Sequence, residues 1–221
     1  MESAVKQTAP SLTEQAHQSI KRYILTKESV RDERLTEEFF ARELGISKSP
    51  IREAMNSLER EGLLRIEPRR GAFVRTFSEQ EIAELYLVRE MIEVYAAQNA
   101  VLTDELIAQL QASVQRITVH FEQGNKEAFI DEDVFFHGVI VQAVGNAELV
   151  RMHLNTQDKQ WLCRCQTFQL ASPDSPKAHG DIAEALARNN RAVAMEATRG
   201  HIRFVSQALQ RAQSAIVTSK L

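Results

Sequence analysis

The sequence predicts a mainly α-helical protein in two parts: an N-terminal winged helix-turn-helix and a C-terminal all-α bundle of roughly six helices. Three observations carry this. Only 8 Gly and 5 Pro punctuate the 221 residues, so the breaks are few and the segments between them long. Apolar residues recur at helical spacing through most of the chain, whereas strand-like alternation is confined to residues 64–75. That one β-prone stretch follows three short helical segments and precedes an unbroken helical array, which is the order of a winged head joined to a bundle.

Taken in order, residues 1–10 read as a flexible tail. The segment AHQSIKRYIL places Ile20 and Ile24 on one face of a first helix. Thr36 caps a second, EEFFAREL, which turns Phe39, Phe40 and Leu44 inward and stops at Gly45. A third helix opens at Ser47 or Ser49, with Pro50 in its first turn, where a missing N–H costs nothing. Ile51, Met55 and Leu58 share its inner face. In LLRIEPRRGAFVRTF, the runs 64–66 and 72–75 flank the turn residues Pro68 to Gly71 and read as a hairpin. From residue 78 the pattern is purely helical, with helices near 79–101, 103–122, 125–145, 147–170, 175–190 and 191–216. Breaks fall at Thr103-Asp104, Gly124-Asn125, Gly145-Asn146 and SPDSP (172–176). The chain therefore divides into a tail (1–10), a winged unit (11–77) and a helical unit (78–221).

Hydrophobic residues make up 43% and charged residues 26%, the balance of an ordinary soluble globular protein. The net charge of −3 conceals an asymmetry. Residues 11–77 hold 13 Lys/Arg against 11 Asp/Glu, and residues 78–221 hold 13 against 18. A mildly basic front and an acidic back suggest two tasks. Cys163 and Cys165, two apart on a helix, point to different sides and read as free thiols. No secretory leader and no apolar run of the ~20 residues needed to span a bilayer is visible, so a cytoplasmic protein without a membrane partner is expected.

The front unit has the chemistry of a DNA reader. Ser47, Lys48, Ser49 and Arg52 cluster at the N-terminal end of the third helix, the helix that such folds lay in the major groove. Arg52 suits a bidentate contact with guanine, and Lys48 and the serines suit phosphate or base edges. The hairpin RIEPRRGAFVR, with Arg69, Arg70 and Gly71 at its tip, holds four arginines against one glutamate and suits a backbone or minor-groove contact.

Over about 30 residues, LGISKSPIREAMNSLEREGLLRIEPRRGAFV resembles the winged-helix signature of GntR-type bacterial transcription regulators, usually written LGVSRTPVREAL…GAFV. The resemblance implies that Ser47, Lys48, Ser49, Arg52 and the wing around Arg70-Gly71 approach double-stranded operator DNA. Two features depart from the pattern. Lys48 stands where Arg is usual, which favours phosphate over bidentate base reading. KESVRDERL replaces the usual Pro-Gly turn, and Glu38 stands where some members present Arg.

The back unit is marked by ionisable groups on apolar stripes. In FIDEDVFFHGVIVQAV, Asp133 and His137 share a face with Ile130, Ile140, Val141 and Val144. His179 shares one with Ile182, Ala183 and Leu186. His201 shares one with Ala194, Ala197, Phe204, Val205 and Ala208. One carboxylate and three imidazoles aimed inward from separate helices suit a divalent metal such as Zn²⁺, Ni²⁺ or Mn²⁺. The same residues also suit a hydrogen-bonded core cluster. His17, His120 and His153 have mixed or polar neighbours and read as surface or half-buried. The Trp161 and Phe168 stripe reads as core or dimer interface. Arg89 shares a stripe with Ile82, Leu85, Ile92 and Ala96, from which it can clamp an effector carboxylate or pair with Glu93 one turn on.

The D-x-x-x-H element, the H-x-x-I-x-x-A-L element and the later H-I resemble the metal-binding pattern of the FCD ligand domain of the FadR-type GntR branch. This implies metal ligation by Asp133, His137, His179 and His201, a small, often carboxylate effector, and a homodimer. The expected whole is a ligand-responsive repressor or activator on a palindromic operator, not an enzyme. The alternatives are a metal-dependent hydrolase, which lacks a convincing general base on the same face, and a regulator whose metal is purely structural.

Overall fold

The computed structural model describes residues 10–26, 34–165 and 175–218, in two compact units that divide between Thr76 and Phe77. Nearly all of the expected tail, Phe168 and most of the SPDSP break lie outside the described residues.

The first unit runs α1 (Leu12–Thr26), β1 (Arg34–Leu35), α2 (Glu37–Leu44), α3 (Lys48–Arg60), β2 (Leu64–Glu67) and β3 (Gly71–Val74). Thr36 Oγ1 accepts from the Phe39 amide at 3.2 Å, so it caps α2 as its residue type predicts. Gly45 ends that helix in the left-handed region, φ 66°, where a Cβ is costly. Ser47 occupies the N-cap position of α3, but its hydroxyl makes no capping bond. Ile20, Ile24, Phe40, Ile51, Leu58 and Leu63 form the buried centre.

β2 and β3 pair antiparallel, Leu64 opposite Val74 and Glu67 opposite Gly71, as the hairpin reading required. The sheet has a third strand that the sequence did not announce. β1 lies on the outer side of β3, with Arg34 opposite Phe73 and Leu35 opposite Ala72. Two residues are too few to carry a period. Its packing explains Gly71, which has φ 109° and whose missing Cβ would stand 2.8 Å from Arg34 Nε.

The second unit is all helix: α4 (Glu79–Asn99), α5 (Asp104–Glu122), α6 (Lys126–Gln142), α7 (Ala147–Cys165), α8 (Ser175–Ala187) and α9 (Arg191–Thr218). The starts follow from capping. Ser78 and Glu81 form a reciprocal capping box for α4, and Thr103 and Asn125 cap α5 and α6. α6 is the central helix, burying Phe129, Ile130, Asp133, Phe136, His137, Gly138, Ile140 and Val141. α4 and α9 pack along one another.

The expected inner face of α9 needs a correction. Ala194, Thr198, His201, Ile202, Leu209 and Ala212 are buried, whereas Phe204 is 49% exposed. At about 100° per residue Phe204 lies well outside the arc that those six define. Among the described residues no helix is long and apolar enough to cross a membrane.

Candidate functional site

Asp133 and His137, one turn apart on α6, meet His179 from α8 and His201 from α9 in the middle of the bundle. All four are buried, and one ligand atom from each lies within 4.8 Å of all the others. Asp133 Oδ1 is the hub, standing 2.9 Å from His179 Nε2, 3.8 Å from His201 Nε2 and 4.0 Å from His137 Nε2.

The outer partners decide which nitrogens face this centre. His179 Nδ1 donates to the Ser175 carbonyl at 2.7 Å, and His137 Nδ1 stands 2.7 Å from Glu93 Oε2. With the protons held on Nδ1, both Nε2 lone pairs point at a carboxylate oxygen, an arrangement that a shared cation relieves. The buried Nε2 atoms of His137 and His201 have no hydrogen-bond partner. Buried polar atoms are almost always satisfied, so two orphans side by side call for a further ligand. Burial, followed for His201 by the neighbouring imidazoles, holds both His137 and His201 below the usual histidine value. Both are therefore neutral at physiological pH, as metal ligation requires. Three nitrogens and one oxygen fit a divalent ion of intermediate softness.

Two arginines complete the site. Burial alone would raise the Asp133 carboxyl, but Arg164 and Arg89 outweigh it and hold the group well below the usual range. Arg164 grips both Asp133 oxygens through Nη1 and Nη2, the latter at 2.9 Å. Arg89 Nη2 reaches Asp133 Oδ2 at 3.4 Å, while its Nε donates to Glu93 Oε1 at 2.8 Å. The pairing with Glu93 is thus present and Asp133 is a second internal partner; the Arg89 side chain is 1% exposed and keeps Nη1 without a partner. The Tyr86 hydroxyl is also buried and unpartnered, with the Arg89 guanidinium 5.6 Å from its ring.

Arg164 was invisible at the sequence level because nothing at its position marks it as inward. The reading of His153 as surface or half-buried is overturned: it is buried, and its Nε2 lies 3.0 Å from Glu93 Oε1. Gln157, one of the polar neighbours that suggested exposure, is half-buried and lies within hydrogen-bond reach of His153 Nδ1 at 3.3 Å. Trp161 is buried, with Nε1 donating to Asp131 at 3.0 Å. Cys163 is buried, and the side chain of Cys165 is outside the described residues.

Acid should unfold this core when a chelator is present. Asp133 and Glu93 carry depressed values, Glu93 because Arg89 and His137 outweigh its burial. Their contribution is complete above about pH 4.5 and is lost as pH falls through the folded-state values. His137 and His201 stay neutral in the fold, while the unfolded chain takes up protons from about pH 6.5 downward. Both effects have one sign. The urea midpoint is expected to fall from pH 7 to pH 5 and more steeply below; a constant midpoint would contradict it.

In the first unit, Ser47, Lys48, Ser49 and Arg52 are exposed along one end of α3, and Arg69 and Arg70 are exposed at the hairpin tip beside half-buried Gly71. Arg69 adopts φ 66°, and Arg70 pairs with Glu67 at 2.5 Å. The two cations at this end of α3 are likewise engaged within the unit. Arg52 donates through Nε and Nη2 to the two oxygens of Glu37, each at 2.7 Å, and Lys48 pairs with Glu38.

A winged head with a cation-bearing third helix, joined to a helical bundle that buries a three-histidine, one-carboxylate donor set, defines a two-part regulatory protein. Residues 12–74 match the model of bacterial regulatory proteins of the gntR family, and residues 84–204 match that of the FCD domain. The chain belongs to the GntR family, and its bundle is an FCD domain.

Among curated relatives, it is similar to the gluconate operon transcriptional repressor of Bacillus licheniformis, with 32% identity over 55% of this chain and 50% of the relative. The chain thus spans about half the length of that repressor. It is 24% identical to the transcriptional repressor RspR of Escherichia coli K12, over 80% of this chain and 79% of RspR. A transcriptional regulator GntR structure from Rhodococcus sp. RHA1 shares the fold, with a TM-score of 0.80, 18% identity, and coverage of 90% and 98% of the two chains. E. coli McbR/YncC does so with a TM-score of 0.76 and 19% identity, over 92% and 99%.

Proposed function

We propose that this chain is a cytoplasmic transcription regulator, a repressor in its simplest form, that binds a palindromic double-stranded operator as a homodimer. It responds to a small organic acid at a divalent metal, Zn²⁺, Ni²⁺ or Mn²⁺, held by Asp133, His137, His179 and His201. The observation that carries the sensor half is the convergence of four buried donors with two orphaned imidazole nitrogens. An ion that takes more than four ligands would keep a coordination position open for a carboxylate oxygen beside the four protein donors. Arg89, with Nη1 free to donate, and the buried Tyr86 hydroxyl are the chain's own groups for orienting the acid.

The hydrolase alternative gains no support from the carboxylates nearby. Glu132 is taken by Arg116 and Ser113, Asp131 by Trp161, and Glu93 by Arg89 and His153.

DNA contact is assigned to Ser47, Lys48, Ser49, Arg52, Arg69, Arg70 and Gly71, and Arg52→Ala tests it. Duplexes enriched from a random pool by the wild-type protein provide the operator. The variant is expected to lose about 1–3 kcal/mol per half-site, enough to remove the shifted band in a gel assay. Unchanged binding would take α3 out of the groove.

Metal loading is tested by melting. Adding Zn²⁺, Ni²⁺ or Mn²⁺ to chelator-stripped protein at a hundred times Kd contributes about 2.7 kcal/mol. For a chain of this size that is an increase of roughly 5–10 °C in Tm. Small organic acids should raise Tm further only in the metal-loaded protein. No response to any acid would favour a purely structural metal.

A further inference from the structure

From the two ion pairs that tie α3 to the start of α2, we propose that Glu37 and Glu38 set how selectively this chain binds DNA: Glu37 positions Arg52, and Glu38 screens Lys48. The proposal rests on the DNA-binding reading above.

Consider Arg52 first. A guanidinium has five N–H donors in a planar fork, and a free arginine on a helix surface swings through many rotamers. Here the Nε and Nη2 edge is taken by both oxygens of Glu37, each at 2.7 Å. Glu37 is the more sheltered member, with 27% of its side chain exposed against 62% for Arg52. It sits in the first turn of α2, where the positive helix pole favours a carboxylate. The pair holds the arginine by its Nε–Nη2 edge and leaves Nη1 uncommitted to Glu37, a preset donor that loses less freedom on meeting a base. Glu37 is thus a positioning residue for a base-reading arginine.

Glu38 acts on Lys48 in the opposite sense. The two are joined by a hydrogen bond and both are well exposed. A lysine that contacts phosphate gains by displacing the counterions condensed on DNA. One already neutralised by a neighbouring carboxylate has less to gain, and the carboxylate itself repels phosphate. The cost falls on every sequence alike, so it lowers indiscriminate binding while base readout through Arg52 is kept. Glu53, bonded to Thr13 and near Ser49, adds a further acidic group to this helix end. The head is therefore less basic at its reading edge than its lysine and arginine suggest.

The test uses the full chain, the variants Glu38→Gln and Glu37→Gln, and two readouts. Fluorescence anisotropy follows binding to a random-sequence 30-base-pair duplex pool over a range of salt concentrations. Sequencing follows what each protein enriches from that pool. Glu38→Gln is expected to bind the pool severalfold more tightly at low salt, with a log–log salt slope steeper by about 0.9, one extra phosphate contact, and an unchanged enriched motif. The gain should shrink in a Lys48→Met background; a gain of full size there would show that Glu38 does not act through Lys48. Glu37→Gln is expected to flatten base preference at one position of each half-site while pool affinity holds or rises. Unchanged slope in Glu38→Gln, or an unchanged motif in Glu37→Gln, overturns the corresponding half of the proposal. Wild-type protein that enriches no sequence overturns the DNA-binding reading and the proposal together, so the two failures are told apart.

Discussion

Asp133→Ala is expected to be the most damaging single change in the bundle, costing about 3–5 kcal/mol of stability. The reason is what it leaves behind. Arg164 and Arg89 both direct guanidinium nitrogens at this carboxylate, and His179 Nε2 stands 2.9 Å from it. All of these groups are buried. Removing the anion takes both carboxylate oxygens away from the buried Arg164 guanidinium and leaves Arg89 with Glu93 alone. A buried pair broken on one side is far costlier than a pair absent from both. The same variant loses the oxygen donor, so Zn²⁺, Ni²⁺ or Mn²⁺ should no longer raise its Tm. Urea unfolding in chelator isolates the first effect, and the metal-induced shift reads the second. Asp133→Asn keeps the volume and one acceptor, so it should unfold later than the alanine variant yet still bind metal poorly. A Tm within a degree or two of wild type for Asp133→Ala would mean that the arginines find other partners, and the account of the core would fail.

Met91→Glu should separate the proposed dimer and with it most of the operator affinity. α4 is apolar on two sides. Ile82, Tyr86, Ile92, Ala96 and Ala97 face the bundle, while Leu87, Val88, Met91 and Tyr95 are exposed. At about 100° per residue those four share one stripe, with Met91 inside it. An exposed apolar stripe on a helix that already buries its other face marks an association surface. A second copy of α4 is the occupant that a symmetric dimer supplies. A carboxylate at its centre is faced by its own symmetry mate, and like charges brought together out of water oppose pairing. Tethering two reading heads typically multiplies affinity by about 10²–10⁴, and a monomer forfeits that factor. Light scattering should report half the wild-type mass, and anisotropy on the enriched duplex should report the loss. A dimer that survives Met91→Glu moves the interface elsewhere.

Much of the fold was legible because it is written locally. Thr36, Ser78, Thr103 and Asn125 each cap a helix through a hydrogen bond to a backbone amide three residues on. The four donors of the bundle were legible for a related reason. An ionisable residue on an otherwise apolar helical stripe has nowhere to go but inward, and Asp133, His137, His179 and His201 all do so. Where a stripe was ambiguous the reading slipped. On α9 small and large apolar residues surround the helix, and the period alone favoured Phe204 over Thr198 and Ile202.

By itself, then, the sequence determined the class of fold, where most helices begin and the four donors that turn inward, since each follows from contacts within a turn or two. Only the tertiary structure decided who meets whom. Arg164 finds Asp133 across 31 residues and His153 finds Glu93 across 60, while Arg52 is held by Glu37 across 15. Such pairings depend on how each helix is rotated against its neighbours. That rotation is set by the packing of the entire core, which no local pattern records.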